Sequence, residues 1–186
     1  MILSKIPNKI LRIKNIKGIK ISVTGYEYKV GTNKIKKELT DKQYNDFCIY
    51  IADTMLSTIV EAIDKQRYYS KKWKPLSIKY LEYKKRKNLS LNVWEATGTL
   101  KNSIKMYRKG NYIVIGFKNN DRYRKSGIKI NTVARWLEYG TSGTKGMPPR
   151  PLFRPITLYF RKNISRYYKN YKKELDKNKV NYLYLS

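Results

Sequence analysis

A long apolar stripe at helical spacing is the feature that most limits how this chain can fold. The stripe comprises Cys48, Ala52, Met55, Ile59, Ala62 and Ile63, with Phe47 and Ile51 beside it. These residues recur every three or four positions and therefore share one face of an α-helix. Thr40 is suited to the N-cap, and Asp41 favours the positive end of the helix dipole. The sequence predicts a long core helix from about residue 41, which must bury its stripe against another layer.

Shorter patterns predict the elements around this helix. Residues 18–31 alternate between apolar and polar on both sides of Thr24-Gly25, which predicts a β-hairpin. Further elements are predicted as a buried strand at 112–117, short helices at 77–87 and 130–139, and a last helix from about residue 154. Strands and helices do not alternate regularly, so the expected fold class is α+β. We expect an antiparallel sheet packed against the long helix, with additional short helices and a C-terminal helix.

Composition divides the chain into three predicted segments. Residues 1–39 are interpreted as a basic N-terminal arm followed by the hairpin. Residues 40–164 are interpreted as the α+β core. Residues 165–186 are interpreted as a basic, Tyr-rich C-terminal helix or tail.

A large positive charge limits the choice of partners. The 186 residues include 42 Lys and Arg against 13 Asp and Glu, which gives a formal net charge of +29. The excess lies in four basic blocks, whereas residues 40–64 carry one basic and five acidic side chains. An anionic partner explains this excess, and so does an AT-rich genome, because Lys, Ile, Asn and Tyr all have AT-rich codons. Both explanations stay open at this point.

Several chemistries are disfavoured by what the sequence lacks. The chain has no His, so imidazole bases, Ser-His-Asp triads and His metal ligands are excluded. With Cys48 alone there is no disulfide within the chain and no thiolate zinc site. Acids outside the long helix are scattered singly, which disfavours paired-carboxylate catalysis. The sequence predicts no enzymatic activity, no catalytic residue, no metal and no cofactor, and it predicts no membrane partner because its longest apolar run is short.

Five short motifs follow one another between residues 73 and 153. They are Trp73-x-Pro75-Leu76-Ser77, Thr97-Gly98-x-Leu100-x-x-Ser103-Ile104, the strand Ile113-Val114-Ile115-Gly116, Trp136-Leu137-Glu138-Tyr139-Gly140-Thr141 and Met147-Pro148-Pro149-Arg150-Pro151-Leu152-Phe153. In content, order and spacing this series resembles the virion-morphogenesis, or tail-completion, proteins of tailed bacteriophages. It is also similar to the related small neck and head–tail joining proteins. The resemblance covers less than half of the chain.

The resemblance implies a structural virion protein that is not an enzyme. Such a protein would form a ring at the phage neck or tail top and join head to tail around the DNA channel. The implied partners are copies of itself, neighbouring neck, portal-adaptor or tail proteins, and DNA that passes through without sequence-specific contact. The implied location is the virion, with the host cytoplasm during assembly. The alternative function is a free protein that binds nucleic acid non-specifically, since basic and aromatic residues interleave at 67–74 and 166–169.

Two sets of surface residues are predicted from these interpretations. Aromatic and Arg side chains dominate protein interfaces, and a Pro-rich loop loses little freedom on docking. The predicted assembly interface comprises Trp73, Pro75, Leu76, Trp136, Glu138, Gly140, Pro148, Pro149, Arg150, Pro151 and Phe153. The predicted DNA-facing residues are Lys71, Lys72, Lys74, Lys84, Lys85, Arg86, Lys87, Arg122, Arg124 and Lys125.

Overall fold

A computed structural model describes residues 16–23, 26–30, 32–68, 71–118, 121–143 and 146–183. The predicted arm before residue 16, the hairpin turn Thr24-Gly25 and the end of the predicted tail at 184–186 lie outside these ranges. In chain order the elements are β1 (Gly18–Val23), β2 (Tyr26–Val30), α1 (Asn33–Lys36), α2 (Asp41–Asp64), β3 (Arg67–Tyr68), β4 (Lys71–Lys72), α3 (Ile78–Arg86), α4 (Thr99–Asn102), β5 (Lys105–Lys109), β6 (Tyr112–Gly116), α5 (Ile130–Tyr139) and α6 (Phe153–Leu183). The α+β class is therefore confirmed.

The main sheet is mixed, whereas an antiparallel sheet was expected. Its strand order is β2-β1-β6-β5. The pairs β1–β2 and β5–β6 are antiparallel hairpins, but β1 and β6 run parallel, with Gly18 opposite Tyr112. The chain leaves the first hairpin, passes through α2 and several loops, and enters β6 from the same end as β1. Periodicity within each strand carries no information on this long connection. The parallel direction of β1 and β6, the two inner strands, was therefore not indicated by local patterns.

The long helix α2 begins as the sequence predicts. The Thr40 hydroxyl accepts a hydrogen bond from the Gln43 amide at 3.3 Å, and the Gln43 side chain accepts one from the Thr40 amide at 3.1 Å. This capping box satisfies two backbone donors that would otherwise lack partners. The predicted stripe is buried, and α2 packs both on the sheet and on α6. Phe47 contacts the rings of Tyr168 and Tyr171 on α6, with centroids 5.8 and 5.4 Å apart.

Described residues from all three predicted segments pack together in one core. The hairpin β1–β2 forms half of the main sheet, and Ile19 and Ile21 are buried beneath α2 and its neighbours. Helix α6 runs without interruption through residues 164 and 165, the predicted boundary between the core and the C-terminal helix or tail. Tyr168 and Tyr171 lie beyond that point and are buried. The basic C-terminal region is therefore part of the core at least as far as Tyr171.

Gly116 at the end of β6 makes a testable contribution to the sheet. Its φ is +151°, and a Cβ at this position would lie 2.1 Å from the Ser22 carbonyl oxygen on β1. We expect Gly116→Ala to lower the free energy of unfolding by about 3 kcal/mol, because β1 must move away. Gly110→Ala is the matched control: its φ is +59° but no atom lies within 4 Å of the added carbon.

The control carries only the cost of the left-handed backbone, about 1 kcal/mol. Urea unfolding followed by circular dichroism measures both variants. Equal losses in the free energy of unfolding for the two variants would show that the close approach of β1 does not restrict the side chain at position 116.

Candidate functional site: an aromatic groove above a buried anchor

Four of the motif side chains and one loop tryptophan build a buried hydrogen-bonded cluster, which we call the anchor. Its members are Trp73, Trp94, Glu138, Arg150 and Phe153, each 8% exposed or less. The Trp73 indole N–H donates to the Pro151 carbonyl at 2.8 Å, and the Trp94 indole N–H donates to the Arg150 carbonyl at 2.9 Å. Motifs that are up to 78 residues apart in sequence therefore meet at one place.

Glu138 caps the first turn of α6 from a different helix. It lies near the end of α5, and its carboxylate accepts backbone N–H bonds from Leu152, Phe153 and Arg154 at 2.8, 3.0 and 2.9 Å. A helix N-terminus carries unpaired N–H groups and a partial positive charge, so a carboxylate is well suited to this position. Burial raises the pKa of Glu138, and the three N–H groups partly offset that effect. Both carboxylate oxygens are occupied, so the structure assigns Glu138 a structural role.

Arg150 holds the Pro-rich loop against the segment that precedes α3. Its guanidinium donates to the carbonyls of Lys74 and Pro75, each at 2.8 Å, and to that of Pro148 at 3.3 Å. Its backbone amide donates to the Leu137 carbonyl at 2.6 Å. The side chain is 2% exposed, and burial lowers its pKa from the ordinary value. A planar, multidentate donor is required here because three carbonyls from two segments converge on one side chain.

The anchor corrects part of the predicted assembly interface. Trp73, Glu138, Arg150 and Phe153 are buried, and they present no surface to a neighbouring protein. Their polar groups are satisfied by loop carbonyls and amides of the same chain, which is why burial is tolerated. The other predicted interface residues stay at or near the surface: Pro75, Trp136 and Pro149 are exposed, while Leu76, Gly140, Pro148 and Pro151 are half-buried.

An open groove of about 820 Å³ lies directly above the anchor. We call it the aromatic groove. Residues of α3, of the segment at 92–97, of α5 and of the loops at 121–129 and 146–148 line it. The large side chains that line it are Leu76, Tyr80, Tyr83, Tyr123, Ile128, Trp136, Met147 and Pro148. Trp94 and Arg150 of the anchor also line it. Groove and anchor are therefore one assembly, in which buried motif residues position exposed ones.

Nine of the ten predicted DNA-facing residues are exposed, and one is buried. The runs at 85–87 and 122–125 adjoin residues that line the groove, whereas Lys71, Lys72 and Lys74 adjoin none. Lys84 is 2% exposed, and its ammonium group donates to the carbonyls of Asn92 and Glu95 at 2.7 and 2.6 Å. Burial lowers the pKa of Lys84. It fastens the loop after α3 and does not meet a ligand at the surface.

Sequence patterns missed several groove and anchor residues. Trp94, Tyr83 and Tyr123 carried no predicted site role. A signal for Tyr80 and Tyr83 was present, because these aromatic residues stand at i and i+3 on a short, strongly basic helix. Such a helix has no apolar stripe to bury, so its aromatic residues remain partly exposed. In the predicted basic-aromatic run at 67–74, Tyr69 and Ser70 lie outside the described residues.

A second groove, of about 680 Å³, lies between the C-terminal half of α2 and β5, and we call it the acidic groove. Leu56, Val60, Ile104 and Met106 supply its apolar surface. Glu61 and Asp64 at its edge pair with Lys65 and Lys101. Asp53 takes part in no ion pair among the residues that the structure describes, and burial raises its pKa. Asp53 is therefore a half-buried carboxylate in a chain with a large excess of cations.

Other kinds of site find little support within the described parts of the chain. No group of three or more Cys, Asp or Glu residues there could hold a metal ion. No helix in the same ranges is long and apolar enough to cross a membrane. Cys48 is fully buried, and burial raises the pKa of its thiol to about 12. Comparison with family models, with curated proteins and with solved structures yields no match.

The cap on α6 can be tested with Glu138→Ala. Three buried or half-buried N–H donors lose their acceptor, and each unsatisfied donor costs about 1–3 kcal/mol. We expect the free energy of unfolding to fall by about 3 kcal/mol, allowing for partial rehydration of the helix end. Glu138→Gln keeps one carbonyl acceptor and should lose less. Urea unfolding followed by circular dichroism provides the measurement.

Glu82→Ala is the control for this test. Glu82 is exposed on α3, so its removal should change the free energy of unfolding by no more than about 0.5 kcal/mol. If Glu138→Ala proved as mild as Glu82→Ala, the capping role of Glu138 would be refuted.

Proposed function

We propose that this protein is a structural, non-enzymatic virion component of a tailed bacteriophage, which forms a ring at the neck or tail top and joins head to tail. The observation that carries this proposal is the convergence of three of the five family-like motifs on the anchor. Segments around residues 73, 138 and 150 are distant in sequence, yet they exchange hydrogen bonds through Trp73, Arg150 and Glu138. Burial alone brings aromatic side chains into one core, but the hydrogen bonds between these three segments join specific motif residues. Their convergence supports a motif series that acts as a single unit.

Charge segregation supports head-to-tail contacts in such a ring. Among the residues that line the acidic groove, Asp53, Glu61 and Asp64 outnumber Lys65 and Lys105, whereas the chain as a whole has a large excess of cations. A contact between two different surfaces of one chain is heterologous, and it closes into a ring when the rotation per copy allows. In this arrangement a basic surface of one copy would dock in the acidic groove of the next. The aromatic groove would then remain available for another ligand.

Asp53→Asn tests this contact. The substitution keeps the shape of the side chain and removes the one groove carboxylate that has no partner cation in the described structure. We expect the concentration needed for ring formation to rise about tenfold, which corresponds to the loss of one partly buried charge pair. Mass photometry at several protein concentrations gives the readout. Glu82→Gln removes an exposed carboxylate elsewhere and should leave assembly unchanged.

Phage particles provide the decisive measurement, because isolated copies of a neck protein can await a portal template before they assemble. Cryo-electron microscopy of particles should locate the protein in a closed ring at the head–tail junction. A protein that stayed monomeric and was absent from particles would overturn the proposal.

Non-specific nucleic-acid binding is the second candidate function. The specific observation in its favour is that six of the predicted DNA-facing cations are exposed on the runs at 85–87 and 122–125, beside the aromatic groove. Lys and Arg side chains that neutralise phosphates release counterions, and this gives affinity without sequence specificity. A ring around DNA would use the same surface, so the two candidates share this contact and differ in assembly.

The salt dependence of duplex DNA binding tests this surface. The logarithm of the affinity should fall linearly with the logarithm of the salt concentration, with a slope of about 0.9 for each neutralised phosphate. Replacing both Arg124 and Lys125 with Ala should reduce that slope by about 2. The matched control replaces Arg161 and Lys162, two exposed cations on α6 that adjoin no groove-lining residue in the sequence.

Equal effects of the two double variants would mean that net charge alone attracts DNA. Weak binding even at low salt would remove the second candidate.

A further inference from the structure

The aromatic groove concentrates exposed apolar side chains to an unusual degree. Tyr80 and Tyr83 are each 44% exposed, and Trp136 and Ile128 are each 40% exposed. Ile78, at 76%, lies on the same helix as the two tyrosines. Contiguous exposed apolar surface on a folded chain marks a binding site more often than chance. The groove therefore has the character of a site for a ligand with apolar faces.

Charge around the groove selects the class of ligand. Lys85, Lys87, Arg124 and Lys125 are exposed on the runs that flank it. The charged side chains that line it are Lys84, Glu95 and Arg150, and both cations among them are already bonded to carbonyl groups. A second copy of the chain would bring a further charge of +29 and be repelled, unless it presented its acidic groove. A polyanion complements this rim best.

Five aromatic side chains line the groove: Tyr80, Tyr83, Trp94, Tyr123 and Trp136. The rings of Tyr80 and Tyr83 stack nearly parallel, with centroids 5.9 Å apart and planes inclined by 13°. Tyr123 lies close to Tyr80, whose hydroxyl contributes to raising the Tyr123 pKa after the larger effect of burial. Trp136 lines the groove from α5. Aromatic platforms beside cations are how proteins hold single strands, because unpaired bases stack on the rings while phosphates meet the cations.

We propose that the aromatic groove binds single-stranded nucleic acid, with bases stacked on Tyr80, Tyr83 and Trp136 and phosphates held by the flanking cations. A duplex keeps its bases stacked within the helix and offers the groove only its backbone. This inference rests on the contact between the basic surface and nucleic acid that both proposed functions share. It adds a preference for unpaired bases, which a purely electrostatic surface does not provide.

The full-length protein is titrated with three probes of equal length, about 15 nucleotides: oligothymidylate, an abasic strand with the same phosphates, and a hairpin duplex. Fluorescence anisotropy gives the affinities. We expect oligothymidylate to bind at least about tenfold more tightly than the abasic strand, since each stacked base contributes that order of affinity.

Trp136 reports stacking directly, because Trp73 and Trp94 are buried and it alone among the three tryptophans is exposed. Oligothymidylate should therefore quench Trp fluorescence, and Trp136→Phe should abolish the quenching.

Tyr80→Ala should weaken oligothymidylate binding about tenfold while leaving affinity for the duplex within about twofold. Leu158→Ala is the control, since Leu158 is 52% exposed on α6 and does not line the groove. All substituted side chains are exposed, and circular dichroism verifies that each variant is folded.

Equal affinity for oligothymidylate and the abasic strand would overturn the inference while leaving nucleic-acid binding intact. Absence of binding to every probe would overturn both. Loss of self-association in Tyr80→Ala, without loss of strand binding, would assign the groove to a neighbouring copy instead.

Discussion

The structure depends on one unusual capping interaction. Helix α6 starts with backbone N–H groups that point into the protein interior, where water is not available to satisfy them. Glu138, projected from α5, accepts three of these bonds with its two carboxylate oxygens. The first turn of α6 can therefore be buried, and with it Phe153, which packs against Trp94 and Phe117. Without that carboxylate, the junction of α5, α6 and the Pro-rich loop would expose unpaired donors in an apolar environment.

The same junction separates the motif residues into two physical roles. The polar groups of Trp73, Glu138 and Arg150 form hydrogen bonds within the chain. These side chains therefore fix the local fold and do not contact a partner. Trp136 lies two positions before Glu138 on the same helix and faces the aromatic groove. Residues 136–138 therefore supply both a buried side chain that supports the fold and an exposed side chain that lines the groove. For the proposed functions this means that the buried residues set the geometry with which exposed residues meet a partner.

Much of the secondary structure could be predicted because its signals are local. The α2 stripe, the Thr40 and Ser77 caps and the stop at Gly140 each depend on residues within one or two turns. The direction of β6 relative to β1 depends on a connection of nearly ninety residues, and no local pattern encodes it. Trp73 and Trp136 have the same chemistry, yet one indole N–H reaches the Pro151 carbonyl and the other ring stays exposed. Lys84 belongs to a run typical of a solvated surface, and only the loop at 92–95 explains its burial.

Helix α6 begins at this junction and is the longest helix among the described residues. Its 31 residues correspond to a rod of about 46 Å. One end is held at Glu138, and its middle rests on α2 through Tyr168 and Tyr171. The helix is therefore held at two places, at its first turn and about halfway along its length, and these two contacts fix its direction relative to α2. The capping carboxylate of Glu138 thus helps to orient a helix that reaches well beyond the junction itself.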